Sequence, residues 1–135
     1  MITSKIPIFQ EFNIEGVTHI TPQNALAELQ NGTAILIDVR EEPEYKLEFI
    51  PLNDVFYYPM SGIIGQLSDI PTDKPVIVMC NAGVRSSKVV NLFNRNGFPE
   101  SANLDGGIIM WKAQGLPLES ESSAGCGCGC SCSNK

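Results

Sequence analysis

The apolar run PVIVM at 75–79 ends in a cysteine, Cys80, and an arginine, Arg85, follows after Asn81, Ala82, Gly83 and Val84. Ser86 and Ser87 come next and open an amphipathic stretch. A thiolate is the nucleophilic form of cysteine. A short loop entering a helix aims backbone N–H groups at one point and adds the positive end of the helix dipole. Gly83 permits the close turn such a loop needs, and Arg85 and Lys88 add cationic charge nearby. The segment has the parts of an anion nest beside a reactive sulfur. Such a nest favours the thiolate, and it would stabilise the terminal sulfur of a persulfide in the same way. The plain alternative is a cysteine that only packs as a small hydrophobe at a strand end.

The elements around this loop must place it. VTHI at 17–20 is β-branched and alternating, which predicts a strand. Thr21 and Pro22 then form a helix start, and PQNALAELQ carries an apolar stripe that stops at Asn31-Gly32. AILID at 34–38 and PVIVMC at 75–80 are continuous apolar runs, as in strands covered on both faces. REEPEYKLEF predicts a loop and a short helix, VFYYP at 55–59 a strand, and SGIIGQLSDI a short helix weakened by two glycines. A helix is expected from Ser86 to Asn96, buried through Val89, Val90, Leu92 and Phe93 and stopped by Gly97. SANL at 101–104 predicts a strand, and GGIIMWKAQG a turn and last helix. Alternating strands and helices imply an α/β fold, three layers with a mostly parallel central sheet. Sites in such sheets form at the carboxyl ends of strands, where Cys80 stands.

The 135 residues suit one domain, and 43 % hydrophobic content is enough for a real core. A net charge of −6 argues against a nucleic-acid partner, which calls for a basic face. No stretch approaches the ~20 apolar residues of a membrane span, and MITSKIPIFQEFN lacks a signal-peptide pattern. A cytoplasmic location is expected, with no membrane partner. Five cysteines, one of them alone in the folded part, do not form a disulfide framework. The single histidine, His19, excludes a histidine-rich metal site and is expected to be a packed or surface residue.

Residues 1–14 are expected to be a loosely packed extension and 15–119 the folded domain. From Glu119 the composition changes, and 120–135 are expected to be a flexible tail because ESESSAGCGCGCSCSNK has no large apolar residue and cannot bury a core. Its Cys126, Cys128, Cys130 and Cys132 alternate with small residues. Three readings stand open: a site for soft or borderline metal ions, a thiol relay that takes sulfur from Cys80, or an exposed tail without a fixed role.

Several separated pieces resemble a known family in order and spacing. LIDVREEPEY at 36–45, VIVMCNAGVRSSKVVNLF at 76–93, NLDGGIIMWKAQGLP at 103–117 and THITPQNALAEL at 18–29 resemble a single-domain rhodanese, a sulfurtransferase of the thiosulfate type. The resemblance implies that Cys80 takes up a sulfane sulfur as a persulfide. It implies that the amides of Asn81, Ala82, Gly83, Val84, Arg85 and Ser86 form the cradle, with Arg85 helping to bind an anionic donor. A small anionic sulfur donor and a thiol or protein acceptor are the implied partners, and no cofactor is required. Asp38 and Arg40 would be structural or pocket-rim residues; a hydrogen-bonded acid and a surface arginine describe them equally well. The family's Gly-His-Ile-Pro-Gly-Ala stretch is EFIPLNDVFYY here, which keeps Ile50 and Pro51 but not the histidine or the glycines.

Loop length bears on phosphate against sulfur. Cysteine-dependent phosphatases have one residue more between cysteine and arginine. A shorter loop draws the amides tighter and leaves room for one sulfur atom on Cys80 rather than a phosphoryl group, which argues against a phosphatase or arsenate reductase. The competitor from another class is a carrier or metal-handling module that uses the same scaffold without turnover. Glu41, Glu42, Glu44 and Glu48 are expected to be a solvated acidic face or a docking surface for a basic partner. Tyr57, Tyr58 and Met60 are expected in the core rather than at the pocket.

Overall fold

A computed structural model of the chain describes residues 1–98 and 100–120. Seven strands and four α-helices follow one another in it. They are β1 (His19–Ile20), α1 (Pro22–Gln30), β2 (Ile35–Asp38), α2 (Glu42–Leu47), β3 (Glu48–Phe49) and β4 (Val55–Tyr57), then β5 (Val76–Met79), α3 (Val84–Arg95), β6 (Ser101–Leu104), α4 (Gly107–Ala113) and β7 (Glu119–Ser120). A 3-10 helix, Ile63–Asp69, stands where a short helix was expected. Gly65 within it and Gly62 at its N-cap weaken a regular α-helix. None of the described helices is long and apolar enough to cross a membrane.

Five strands form one parallel sheet in the order β1-β6-β5-β2-β4. The central strands are buried at every position, and β2 and β5 accordingly read as apolar runs, while β6 buries the polar Ser101 and Asn103 as well. Alternate side chains separate two cores. Ile35, Ile37, Val76, Val78 and Cys80 meet Val89, Val90 and Phe93 of α3 on one face. Leu36, Ile77 and Met79 meet Ala25 and Leu29 of α1 and Ile108 and Trp111 of α4 on the other. The three-layer α/β architecture is thus the one expected. Tyr58 and Met60 pack against the first core, while Tyr57 is more exposed and lies against Tyr45, ring centroids 4.5 Å apart.

Strand order reverses between β2 and β5: the chain continues outward to β4 on one side and to β6 on the other. A crevice opens outside the carboxyl ends of strands at such a point. The next residues there are Val39 and Arg40 after β2, and Cys80 after β5.

Two segments are tied down more firmly than expected. The buried carboxylate of Asp105 accepts hydrogen bonds from the Ile8 and Phe9 amides, 2.6 and 3.0 Å. Gln10 Oε1 accepts from Asn103 Nδ2 and from the Gly106 amide, both 2.9 Å. Residues 8–10 are therefore a strap across the domain rather than a loose extension. At the other end, β7 pairs antiparallel with β3, so Ser120 belongs to a strand ladder.

Candidate active site

Gly83 has φ +99° and is the N-cap of α3, so the helix begins at Val84 rather than at Ser86. A left-handed residue there turns the chain sharply enough to start the helix early, and the Ser87 amide and hydroxyl both donate to Gly83 O. Arg85 and Ser86 consequently sit in the first turn. A Cβ on Gly83 would fall 1.8 Å from Gln10 Oε1, a second reason for glycine.

Cys80 is 1 % exposed and its Sγ faces the loop. The Gly83 amide donates to it over 3.1 Å and the Ser86 amide over 3.4 Å, with Ser86 Oγ at 3.3 Å. Two amides of the expected cradle, at the start of a twelve-residue helix, thus converge on the sulfur. Ser86 also donates to Asn103 Oδ1, and Asn103 Nδ2 lies 3.0 Å from His19 Nδ1. His19 is therefore a buried member of a polar chain running behind the nucleophile. Burial lowers its pKa below 6.5, with Asp105 opposing.

The loop is held from behind by α4. The Ile108 amide donates to Cys80 O and the Ile109 amide to Asn81 O, 2.9 and 3.1 Å. Gly107, assigned no chemistry from sequence, allows this approach. Its φ is +64°, and a Cβ would lie 2.2 Å from Asn81 O and 2.7 Å from Cys80 O. Gly107→Ala should displace the loop and lower kcat/KM for sulfur transfer by about a hundredfold, the scale of an ångström misplacement. Gly97→Ala is the control. Gly97 also has positive φ but open space around it, so the change should cost about 1 kcal/mol of stability and no activity.

Asp38 and Arg40 form a buried pair, 0 and 2 % exposed, so the surface reading of Arg40 does not hold. Arg40 Nε and Nη2 both reach the Asp38 carboxylate, Nη2 over 2.9 Å. Its Nη1 donates to Glu44 O at 3.3 Å and its Nη2 to Glu48 O at 2.6 Å. The guanidinium thereby fixes α2 against the sheet. Three acids of the run around that helix lie at the surface as expected, Glu42 beside Lys46, Glu48 beside Lys112 and Glu41 beside Ser61, whereas Glu44 leaves that face.

Glu44 points at the loop. Its carboxylate takes both terminal nitrogens of Arg85, 2.8 and 2.9 Å, and Asn81 Nδ2 at 2.7 Å. It also accepts from the Glu41 amide, 2.9 Å. Hydrogen bonding from Arg85 chiefly lowers the Glu44 pKa to about 2, and the same contact raises that of Arg85. A cleft of about 360 Å³, lined by Arg40, Glu44, Leu47, Glu48, Asn81 and Ser120, opens beside this group. Sequence reasoning missed Glu44. The signal for it was Arg85, a loop cation that can take a counter-charge, and an acid four residues beyond Arg40.

Both depressed pKa values predict acid sensitivity. His19 takes up its proton more readily when unfolded, so stability falls as pH drops below about 6.5. Glu44 adds stability that is full above about pH 4.5 and lost as pH falls toward about 2. Urea midpoints measured from pH 7 to pH 3 should decline, most steeply below about 4.5; a level profile contradicts both placements.

Among the described residues no three His, Cys, Asp or Glu side chains are placed to hold a metal ion. Cys126, Cys128, Cys130 and Cys132 lie outside the described residues.

A cysteine held by helix-start amides at the switch point of a parallel sheet defines a class of thiolate-dependent transfer domains. Comparison with known proteins narrows it. Residues 21–114 match the rhodanese-like domain family. A sulfurtransferase from Allochromatium vinosum is 36 % identical over 84 residues, 62 % of this chain and 77 % of that protein. The thiosulfate sulfurtransferase GlpE of Actinobacillus pleuropneumoniae is 30 % identical over 106 residues, 78 % of this chain and 96 % of that protein. The crystal structure of a rhodanese-like domain protein from Staphylococcus aureus has a TM-score of 0.64 at 29 % identity, covering 76 % of this chain and 98 % of that one. A rhodanese-related protein from Thermoplasma volcanium shares the fold with a TM-score of 0.68 at 24 % identity, covering 75 % and 96 %. The chain belongs to the rhodanese-like domain family, and its relatives support sulfurtransferase activity at family level.

Proposed function

We propose that the protein moves a sulfane sulfur from thiosulfate or a related donor to a thiophilic acceptor through a persulfide on Cys80. The observation that carries this reading is the convergence of the Gly83 and Ser86 amides on Cys80 Sγ. Two displacements account for the transfer. The Cys80 thiolate attacks the outer sulfur of the donor, a new S–S bond forms, and the donor's own bond to that sulfur breaks. With thiosulfate, sulfite leaves carrying the electron pair. The acceptor then attacks the outer sulfur of Cys80–S–S⁻, and the Cys80 thiolate leaves with the bonding pair. Cyanide as acceptor yields thiocyanate; a thiol yields its persulfide. Amides aimed at Sγ stabilise anionic sulfur at both stages without reorganising. The loop holds four residues between Cys80 and Arg85, and its closeness to Sγ matches one added sulfur better than a phosphoryl group. The test is whether a sulfane donor leaves one reducible sulfur on Cys80 and an acceptor removes it.

A further inference from the structure

The amide side chain of Gln10, in the N-terminal strap, reaches three places that fix the nucleophile. Its Oε1 accepts from the Gly106 amide over 2.9 Å. Gly106 is the N-cap of α4, and the Ile108 and Ile109 amides of that helix hold Cys80 O and Asn81 O. The same Oε1 accepts from Asn103 Nδ2 over 2.9 Å, and Asn103 Oδ1 takes the Ser86 hydroxyl. Gln10 Nε2 donates to Phe12 O over 2.8 Å and to Gly83 O over 3.3 Å, and it lies 3.5 Å from Ser87 Oγ. Gly83 and Ser86 are the two residues whose amides converge on Cys80 Sγ. The approach to Gly83 is close: a Cβ there would meet Oε1, Cδ and Nε2 of Gln10, all within 2.8 Å.

Backbone groups fix which way this run of side chains points. The Gly106 amide can only donate, and the Phe12 and Gly83 carbonyls can only accept, so Gln10 has one orientation open to it. Asn103 must then present Nδ2 to Gln10, as it does to His19 Nδ1, and Oδ1 to Ser86. The Ser86 hydroxyl donates to that Oδ1, which leaves Ser86 Oγ, 3.3 Å from Sγ, facing the sulfur as an acceptor. We infer that Gln10 is a positioning residue for sulfur transfer: it holds Gly83 and Ser86 where their amides reach Cys80. The inference rests on the sulfurtransferase reading and adds to it a residue that acts through the loop rather than on substrate. The strap that carries Gln10 is seated by the Ile8 and Phe9 amides on Asp105. It lies ahead of residues 21–114, the span that matches the family, so the matched span alone does not supply this part of the site.

Two variants of the full chain test this role. Gln10→Glu keeps the acceptor toward Gly106 and Asn103 but sets a carboxylate oxygen against the Phe12 and Gly83 carbonyls. Gln10→Ala removes both ends of the amide. Each should lower kcat/KM for thiocyanate formation from a sulfane donor and cyanide by about tenfold or more, part of the cost of an ångström misplacement. Each should also shift the amide proton and nitrogen resonances of Gly83 and Ser86, which report the hydrogen bonds to sulfur. Gly97→Ala, a change in open space away from the loop, should leave the rate and both resonances unaltered. Rates close to the wild type in both variants, or Gly83 and Ser86 resonances that do not move, overturn the role of Gln10. So does a loss of rate that Gly97→Ala reproduces at the same urea midpoint, since stability alone would then account for it. A wild type that transfers no sulfur from any donor overturns the sulfurtransferase reading instead, and the two resonances then still decide whether Gln10 positions the loop.

Discussion

Cys80→Ser is expected to abolish sulfur transfer, lowering kcat by about 10³-fold or more with any sulfane donor, on the scale of losing a covalent nucleophile. A serine hydroxyl stays protonated in this nest and attacks sulfur poorly. The substitution is nearly isosteric in a site 1 % exposed. Its hydroxyl would inherit the Gly83 and Ser86 amides as donors, so the buried oxygen has partners and the fold should persist. Thiocyanate formation from a sulfane donor and cyanide gives the rate, and a urea midpoint close to that of the wild type excludes unfolding as the cause. A serine variant that turns over at the wild-type rate would sink the assignment of Cys80.

Arg40→Met should be the most damaging change to stability. It leaves the Asp38 carboxylate fully buried without its guanidinium. Removing one partner of such a pair costs about 3–5 kcal/mol, a large part of the ~5–15 kcal/mol that holds a domain together. It also frees the Glu44 and Glu48 carbonyls that Arg40 anchors, so α2 loosens and Glu44 loses its aim. The double variant Asp38→Asn with Arg40→Met removes the orphaned charge and should recover about 1–2 kcal/mol in urea unfolding. A single variant as stable as the wild type would mean that the pair does not anchor α2.

The sequence made β2 and β5 legible because they are buried on both faces and so read as apolar runs. The same holds for α1, with its Thr21 cap and Pro22, and for α3 as a helix. The start of α3 was misplaced because the left-handed turn at Gly83 substitutes for a side-chain cap, and no residue pattern announces that. Of the candidate site, Cys80 and its loop could be read, since a cysteine at the carboxyl end of a strand and a glycine loop are local features. The remainder depends on contacts distant along the chain. Glu44 meets Arg85 across forty-one positions. Gly107 approaches the Cys80 carbonyl from α4. Gln10 reaches Asn103 from an N-terminal segment that lacks any regular period. An acidic residue in a run of acids looks solvated until the fold shows which of them faces the arginine of the loop.

The most direct measurement is mass spectrometry of the full chain and of Cys80→Ser after treatment with a sulfane donor, with the added sulfur located by peptide mapping. The wild type should carry one additional, reducible sulfur atom on Cys80, released by cyanide, and the variant should carry none there or on Cys126, Cys128, Cys130 and Cys132. Equal loading of the variant, or a wild type that gains sulfur only on the four C-terminal cysteines, would contradict the persulfide on Cys80.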